Sequence, residues 1–514
     1  MKAMLLFLGA AALLSAASAY KILCIFPVPS KSHNNLARGI VNILLKAGHE
    51  VTLVTPYPDK KAVANLTQID VSATLAYAVI CILSTHPDVD MSKHQDLSFV
   101  FAFAKNVSRV AAQTPAVREA LVKQRFDAVF TEWFFNEFEA GYAAVQEAPW
   151  LLLSGTALSP PIQAMVDEVR TLSTIPLPFN NYPIPMGFWQ RLHNVAILLM
   201  GTRSNAFSKS RYTTSSTYAP LAAARGVTLP PYAKASRDVS ILFVNSHQSI
   251  SPAQSLPPNV VDIAGYHISS HLILTPQDIQ DLLDSSSQGV VYFSMGSVMK
   301  SQLIPKATRQ ALLKVLGALP YTVLWKFEEK LEGLPPNVHI SSWWPQPGIL
   351  AHPNVKLFIT HGGMLSMLEA VHYGVPLLAI PVFGDQPSNA ARAERLGFAR
   401  KVTYAEDMAP AFGAALKELL QDDTYYKRAK YLSKIFNNRP LPPAELVAYY
   451  TELAIETKGA HHLRSQTLQY AWYQVWMLDL LAFVLAVIVA LGIAIRVLLS
   501  KLFGRKTQAK VKRN

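Results

Sequence analysis

Apolar runs and amphipathic segments alternate along the first half of the chain. Residues Lys21 to Phe26 and Glu50 to Val54 have the continuous apolar character of buried strands. Between them, Ser32 to Ala47 places apolar residues at helical spacing and is followed by Gly48, which predicts an amphipathic helix. The same order of elements recurs at 126–131, 137–147 and 150–154. Repeated βαβ units predict a parallel sheet with helices on its faces.

A second alternation follows a joint at 252–258 that is rich in proline and serine. Strands are predicted at 289–294, 322–327, 355–360 and 377–380, with helices at 305–319, 364–373 and 389–396. We therefore predict an α/β protein with two doubly wound, Rossmann-like domains that face a cleft. Ligands of such sheets bind beyond the carboxyl ends of the strands, here the loops after Ser294, Phe327, Ser341, Thr360 and Ile380.

Both ends of the chain have the composition of membrane-targeting segments. Residues 1–19 combine Lys2, an apolar run and the small residues Ala17-Ser18-Ala19, as in a secretory signal peptide. Leu480 to Leu499 is apolar except for Arg496, and at ~1.5 Å per residue it is long enough to cross the hydrocarbon layer of roughly 30 Å. The last fourteen residues hold six Lys or Arg and no acid, which the positive-inside rule assigns to the cytosol. We expect a single-pass protein whose preceding domains are lumenal.

These features predict a partition of the chain into seven parts. They are a signal peptide (1–19), a first Rossmann-like domain (20–250), a linker (251–288), a second Rossmann-like domain (289–440), C-terminal helices that approach the membrane (441–475), a transmembrane helix (476–499) and a basic cytosolic tail (500–514).

The net charge of +13 at pH 7 raises the question of a nucleic-acid partner. Six of the basic residues belong to the tail, and a lumenal location separates the rest from nucleic acid, so we exclude that class. Lumenal residues can be N-glycosylated, and the two sequons begin at Asn65 and Asn106. Cys24 and Cys81 are expected to be free buried thiols rather than a disulfide framework.

The strand predicted at 355–360 runs into His361-Gly362-Gly363 and then into a helix. Exposed backbone N–H groups at a helix N-terminus attract phosphate, and glycines allow the ligand to approach closely. A competing interpretation is that Ser366-Met-Leu-Glu369 is a capping box on an ordinary helix.

The wider context of this loop resembles a known family. The run Phe358-Ile-Thr-His-Gly-Gly-Met-Leu-Ser-Met-Leu-Glu369 is followed by Pro376, Pro381 and Asp385-Gln386, and this pattern is similar to the signature of UDP-glycosyltransferases. Trp343-Trp-Pro-Gln346, Ser294-Met-Gly-Ser297 and Ser32-His33 extend the resemblance over essentially the whole chain. Thr131-Glu-Trp-Phe-Phe135 is similar to insect members. The resemblance implies a GT-B fold in which the first domain binds the acceptor and the second binds the UDP-sugar.

The resemblance assigns the donor side as follows. Trp343 offers a flat face for uracil and Gln346 reads the ring edge. His361 and the N–H groups from Gly363 to Ser366 hold the diphosphate, whose charge grows in the transition state. Glu369 accepts hydrogen bonds from ribose, and Asp385 and Gln386 read sugar hydroxyls. Ser294 and Ser297 contact phosphate or sugar.

Each of these residues also has a purely structural interpretation. Trp343 would then be a buried core residue, Asp385 a helix cap, and the two serines turn residues. No metal is expected, because His361 and the backbone N–H groups would stabilise the diphosphate charge. The UDP-sugar is a co-substrate, so no resident cofactor is expected.

On the acceptor side, an alcohol or phenol needs a base to take its proton. His33 occupies the family's base position, and we expect the helix N-terminus to keep its imidazole neutral. An aspartate usually partners this base in the family, whereas here Glu132 stands in its place. The extra methylene makes the Glu132 assignment weaker, and the alternative is a surface glutamate at a strand end.

The sequence favours UDP-glucose over UDP-glucuronate. Vertebrate glucuronosyltransferases have an arginine where this chain has Val244, and a displaced Arg237 is the remaining candidate for pairing with a sugar carboxylate. The predicted function is inverting transfer of a hexose to a small lipophilic alcohol or phenol, of the detoxification or conjugation type. A catalytically inactive lipophile-binding protein is the main alternative. A glycosidase is disfavoured because the signature provides no close carboxylate pair. The acceptor is not specified by the sequence, and a homo-oligomer stays open.

The C-terminus contains a candidate localisation signal. Lys510 and Lys512 resemble a dilysine signal for return to the endoplasmic reticulum, although a basic stop-transfer flank has the same composition. We expect a type I protein of that membrane with a short cytosolic tail.

Overall fold

The computed structural model describes residues 19–77, 98–135, 137–167, 174–177, 182–183, 185–197, 217–268, 275–297 and 299–511. The predicted signal peptide, apart from residue 19, and Cys81 lie outside them. The chain divides into two compact units, residues 1–464 and 465–514. The first unit contains two parallel sheets, as the sequence predicts.

The strands of the first sheet are β1 (Lys21–Ile25), β2 (Glu50–Thr55), β3 (Leu66–Asp70), β4 (Ala128–Trp133), β5 (Trp150–Ser154), β6 (Val239–Val244) and β7 (Val260–Asp262). Those of the second are β8 (Val290–Ser294), β9 (Thr322–Lys326), β10 (Val338–Ser341), β11 (Val355–Thr360), β12 (Leu377–Ala379) and β13 (Ala399–Lys401).

The α-helices of the first unit are, up to the second sheet, α1 (Lys31–Lys46), α2 (Ser98–Gln113), α3 (Pro115–Lys123), α4 (Ala140–Gln146), α5 (Pro160–Gln163), α6 (188–197), α7 (Ala219–Arg225), α8 (Tyr232–Ala235) and α9 (Gln277–Ser285). They continue with α10 (Lys306–Gly317), α11 (Gln346–Ala351), α12 (Met364–Tyr373), α13 (Gln386–Arg395), α14 (Ala409–Gln421), α15 (Asp423–Asn437) and α16 (Pro443–Glu456). Short 3-10 helices span Ser72–Tyr77, Ser301–Leu303 and His461–Leu463.

The two sheets have equivalent topologies. The first has the order β3-β2-β1-β4-β5-β6-β7 and the second the order β10-β9-β8-β11-β12-β13, with parallel pairing throughout. In each sheet the strand order reverses beside the first strand, between β1 and β4 and between β8 and β11. A crevice forms at such a reversal, at the carboxyl ends of the strands.

Two parts of the predicted partition need correction. The predicted linker contains β7, which pairs with β6 and belongs to the first sheet, and it also contains α9. The stretch after residue 440 contains α16, whose Val447 and Ala454 are buried in the same core as Ile40 of α1. Arg464 donates to Asp238 and to Ser240 beside the first sheet. The chain therefore returns to complete the core of the first domain.

The second unit contains a 3-10 helix (Gln466–Gln469), α17 (Trp472–Val475) and α18 (Leu478–Val511). Within α18, Leu478–Phe503 is long and apolar enough to cross a membrane. The helix continues through the stretch that we predicted as a separate tail, and residues 512–514 lie outside the described part.

Candidate active site

His33 and Glu132 meet at the crevice of the first sheet. His33 lies in the first turn of α1, directly after β1, and Glu132 lies in β4, which pairs with β1. The His33 Nδ1 and Glu132 Oε1 atoms are 2.7 Å apart, a charge-assisted hydrogen-bond distance. The Glu132 side chain is only 2% exposed, so it is not a surface glutamate. The extra methylene of glutamate, compared with the family's usual aspartate, does not prevent its carboxylate from contacting His33.

The pKa of His33 shifts in the opposite direction to our expectation. Burial alone lowers the pKa of His33, but the charge and hydrogen bond of Glu132 and the charge of Asp385 raise it above its ordinary value. The nearby carboxylates therefore outweigh the effect of burial. The expected effect of the helix, a pKa held low, is therefore not what the structure shows, and the higher pKa makes neutral His33 a stronger base.

Three strand ends align at the crevice of the second sheet. Thr360 of β11 pairs with Ser294 of β8 on one side and with Ala379 of β12 on the other. His361 follows Thr360 directly. Burial and the charge of Lys326 lower the pKa of His361 to about 4, so the ring is neutral near pH 7. A neutral imidazole still donates one N–H, which suits contact with a phosphate oxygen.

Helix α12 begins beside His361. Gly363 is its N-cap and has no side chain to satisfy the first-turn N–H groups, so those donors point into the crevice. Ser366 and Glu369 are the third and sixth residues of the helix rather than cap positions. The capping-box interpretation is therefore wrong.

Glu369 is tied to Gln346. The Gln346 Nε2 atom donates to Glu369 Oε2 at 2.7 Å and lies 3.4 Å from Ser366 Oγ. Burial raises the pKa of Glu369 to about 7, while the Gln346 hydrogen bond lowers it. His267 Nε2 is 3.8 Å from Glu369 Oε1. These contacts bring together the residues predicted to bind uracil and ribose.

Trp343 has an open ring face. It is 54% exposed, whereas the neighbouring Trp344 is 7% exposed and donates its indole N–H to the Trp325 carbonyl. The Nζ atoms of Lys31 and Lys326 lie 5.0 and 6.0 Å from the centre of the Trp343 ring. The core interpretation thus applies to Trp344 and not to Trp343. Ammonium groups at this distance interact favourably with an indole ring.

Asp385 and Gln386 begin α13. Asp385 occupies the N-cap position, but its side chain forms no cap hydrogen bond and instead accepts from Asn389 Nδ2 at 2.7 Å. The capping interpretation of Asp385 is therefore wrong. Gln386 Oε1 accepts from the backbone N–H groups of Val382 and Phe383. The side-chain carbonyl of Gln386 is thus used within its own loop, and the side-chain amide nitrogen is the group left for a ligand.

Ser294 and Ser297 differ in burial and in hydrogen bonding. Ser294 is 2% exposed, and its Oγ accepts from the Gly296 N–H, so it stabilises the turn. Ser297 is partly exposed in the same loop. Ser297 is the better placed of the two for a ligand contact.

The structure adds residues that sequence reasoning missed. Asp385 was predicted as a sugar-binding residue, but its charge also raises the pKa of His33, an effect of one domain on the other that the sequence did not indicate. Lys31 and Arg392 also contribute charges from α1 and α13. Lys31 lies two residues before His33, and that proximity was the available signal; Arg392 is seven residues beyond Asp385, at a spacing that returns to one side of a helix.

The remaining predicted sites lie outside the cleft. Asn65 is exposed in a turn before β3, whereas Asn106 lies within α2 with Ser108 of its sequon buried. Cys24 is a free, buried thiol. Among the described residues, no group of three or more His, Cys, Asp or Glu side chains is arranged to hold a metal ion.

The chain is similar to known proteins over nearly its whole length. Residues 21–514 match the family model described as UDP-glucoronosyl and UDP-glucosyl transferase. UDP-glycosyltransferase UGT5 of the insect Dactylopius coccus is 31% identical, with 98% of each chain covered, and UDP-glucosyltransferase 2 of the same species is 32% identical, with 92% of this chain and 91% of the relative covered. Mouse UDP-glucuronosyltransferase 3A1 is 32% identical over 61% of this chain and 60% of the relative.

Solved structures resemble the fold. The glycotransferase of kitacinnamycin matches with a TM-score of 0.57 at 18% identity, covering 86% of this chain and 99% of that one. The glycosyltransferase SnogD of Streptomyces nogalater matches with a TM-score of 0.56 at 20% identity, covering 85% and 100%. The predicted GT-B architecture is thereby confirmed.

Proposed function

The chain belongs to the UDP-glucuronosyl and UDP-glucosyl transferase family, and on that premise we propose that it transfers glucose from UDP-glucose to a hydroxyl of a small lipophilic acceptor, with inversion at the anomeric carbon. The observation that carries this proposal is the 2.7 Å contact between His33 and Glu132 at the crevice of the first sheet. Asp385 of the second domain lies close enough to influence His33. A base and a donor site thus face the same cleft.

The first step is removal of the acceptor proton. The hydrogen bond to Glu132 holds Nδ1–H of His33 and leaves Nε2 as the proton acceptor. As Nε2 takes the proton, the acceptor oxygen forms a bond to the anomeric carbon of the hexose. Glu132 stabilises the imidazolium that results. The raised pKa of His33 increases its strength as a base.

The leaving group carries away the bonding electrons. As the bond between the anomeric carbon and the phosphate oxygen breaks, negative charge grows on UDP. The first-turn N–H groups of α12 and the neutral ring of His361 are positioned to stabilise that charge. A single displacement converts an α-linked donor into a β-glycoside. This part of the mechanism requires no metal.

Donor recognition follows from the second sheet. We assign uracil to the open face of Trp343, the ring edge and ribose to Gln346 and Glu369, and the hexose to Asp385 and the amide nitrogen of Gln386. Ionised Glu369 is a hydrogen-bond acceptor for a ribose hydroxyl.

Glucose is preferred over glucuronate on charge grounds. Val244 is fully buried in β6, and Arg237 precedes the amino end of that strand, opposite to the edge where ligands bind. Neither position supplies a cation for a sugar carboxylate. One relative is named a UDP-glucosyltransferase and another a UDP-glucuronosyltransferase, so UDP-glucuronate is the alternative donor.

We further propose that α18 anchors the protein in the endoplasmic reticulum membrane, with a lumenal catalytic unit and a conjugation role for lipophilic compounds. Support comes from the apolar stretch Leu478–Phe503, the N-terminal signal-like residues and the basic C-terminus. Changing Lys510 and Lys512 to Ser keeps four basic residues and should release the protein to the cell surface. If this variant stays in the endoplasmic reticulum with unprocessed glycans at Asn65, the two lysines are not a retention signal.

The decisive experiment uses microsomes that contain the full chain. They are incubated with labelled UDP-glucose, UDP-galactose or UDP-glucuronate and a panel of phenols, with and without EDTA. We expect a β-glucoside in both conditions, identified by NMR. An α-glycoside contradicts the single displacement, and loss of turnover with EDTA contradicts metal independence. Binding of phenols without transfer of any sugar would favour the inactive lipophile-binding protein.

A further inference from the structure

A cleft opens between the loop after β5 and one side of α13. Thr156, Leu158 and Leu177 contribute to one wall, and Asp385 and Arg392 to the other. The space between the two walls is about 560 Å³ when the part open to solvent is included. The first wall is largely apolar and the second is polar and charged. The cleft suits a ligand with one apolar body and a charged end.

The cleft begins beside the catalytic base. Gly155 directly precedes Thr156, and a Cβ atom at Gly155 would lie 2.8 Å from Glu132 Oε1 and 2.7 Å from Leu36 Cδ1. On the opposite wall, Asp385 interacts electrostatically with His33. One end of the cleft is therefore close to the His33–Glu132 pair.

Arg392 is a cation without a full set of partners. Its Nη1 atom is buried and has no hydrogen-bond partner among the described residues. Burial and the neighbouring Arg395 lower the pKa of Arg392, and Asp385 raises it, but a guanidinium keeps its charge in proteins. A buried N–H of a cation that lacks an acceptor is costly unless a ligand supplies one. Arg392, which lines the cleft, thus has a hydrogen-bond donor to spare for an acceptor on a ligand.

We propose that Arg392 binds an anionic group on the acceptor, so that the substrates include lipophilic alcohols or phenols that also carry a carboxylate. This inference rests on the proposed function of His33 and Asp385. Arg392 is seven residues beyond Asp385, which at ~1.5 Å per residue places the two positions roughly 10 Å apart along α13. The hydroxyl and the carboxylate should therefore stand at opposite ends of a rigid body such as two fused rings.

A carboxylate on the donor sugar fits less well. If Asp385 reads the hexose, a carboxylate on that hexose would approach the carboxyl group of Asp385 rather than Arg392, two helical turns farther on. The acceptor is thus the favoured source of the anion, and the donor is the alternative that the experiment must separate.

The test compares three acceptors that share one ring system: 6-hydroxy-2-naphthoate, its methyl ester and 2-naphthol. Transfer of glucose to the ring hydroxyl is measured with the full-length wild type, Arg392→Gln, Arg392→Lys and Arg237→Gln. Arg237 is exposed before β6 and is the matched control. Arg392→Gln should lower kcat/KM for the naphthoate about 10- to 100-fold while the ester and 2-naphthol change less than about 3-fold, and Arg392→Lys should restore part of the loss. Arg237→Gln should behave as wild type.

Three results would overturn the proposal. The first is an equal loss with all three acceptors, which indicates a structural role. The second is an unchanged rate for the naphthoate. The third comes from a parallel assay with UDP-glucuronate as the donor and 2-naphthol as the acceptor: a loss that Arg392→Gln causes only in that assay assigns the anion to the donor.

Direct binding separates this inference from the proposed function. The affinity of 6-hydroxy-2-naphthoate for the purified full chain in detergent is measured by its fluorescence. Weaker binding to Arg392→Gln, with ester binding unchanged, supports the site even if no variant transfers glucose, which would refute only the proposed function. Equal binding to both proteins refutes the site even if transfer to 2-naphthol is rapid.

Discussion

A Cβ atom at Gly296 would lie 2.6 Å from Cε1 of His361, closer than side chains approach in folded proteins. Gly296 also has a φ of +82°, in the left-handed region that favours glycine. A Cβ at Gly363 would lie equally close, 2.6 Å from Nε2 of the same ring. The imidazole of His361 is therefore held between two glycines at the start of the predicted phosphate site.

We predict that Gly296→Ala displaces the His361 ring and thereby raises the KM for UDP-glucose. The protein should still fold. The matched control is Gly333→Ala, where φ is +70° and nothing lies within 4 Å of an added Cβ. Both changes should cost about 1–2 kcal/mol of backbone strain, measured by thermal unfolding. Equal KM values in the two variants would remove the ring contact as the cause.

His33→Gln is predicted to reduce transfer to neutral phenols about 100- to 10,000-fold, because the acceptor proton then lacks a base. UDP-glucose affinity should stay near wild type, since His33 lies on the acceptor side. Glu132→Gln, which keeps the shape of the partner, should show a smaller loss. Wild-type turnover in His33→Gln would refute the mechanism.

The acid limb of the rate profile should depend on Glu132. Because Glu132 raises the pKa of His33, wild-type activity is lost as the pH falls through a pKa above the ordinary histidine value. In Glu132→Gln that support is gone, so the acid limb moves to lower pH while the plateau rate decreases. The measurement is kcat/KM against pH with a neutral acceptor. An unmoved limb would mean that another group controls it.

Glu369 should make UDP-glucose binding depend on pH. Its pKa is about 7 in the free protein, so the carboxylate that accepts from ribose forms as the pH rises through that value. Affinity for UDP-glucose, whose diphosphate diester does not titrate there, should therefore increase with pH between about 6 and 8. Calorimetry of Glu369→Gln, which lacks the titrating proton, is expected to give a flat profile. The same slope in both proteins would assign the titration elsewhere.

Helix α16 should contribute to the stability of the first domain. Val447 is fully buried in the core with Ile40, whereas Tyr449 on the same helix is 56% exposed. Val447→Ala is predicted to lower the free energy of unfolding by about 1–3 kcal/mol, and Tyr449→Ala by less than about 0.5 kcal/mol. Denaturant unfolding of the two variants provides the comparison. Similar losses would show that α16 is not part of the core.

The sequence predicts the strands that are long and apolar. Trp150 to Ser154 and Val355 to Thr360 have the predicted bounds because both are continuous apolar runs of buried strands. Strand β13 is only Ala399–Lys401, with two basic residues, and its pairing with β12 is a tertiary contact that periodicity does not encode. The same is true of β7, which we assigned to a linker.

Some features of the candidate site were likewise predictable from the sequence, and others depend on tertiary packing. The positions of His33, Glu132 and Glu369 follow from a motif and from the rule that sheet crevices lie at strand ends. The direction of the His33 pKa shift was predicted wrongly, because it is set first by Glu132 and then by Asp385, and the approach of both carboxyl groups to His33 is a tertiary contact. Arg392 was not predicted for the same reason.

The return of α16 to the first domain also limits how the cleft can open. The chain passes from the first sheet to the second between β7 and α9, and comes back between α15 and α16. Two domains joined by a single connecting segment can rotate about any axis. Two connecting segments at separate points favour rotation about the line that joins those points. We therefore expect any opening of the cleft to be a rotation about one axis, and stiffening one connection should slow product release without changing a residue of the site.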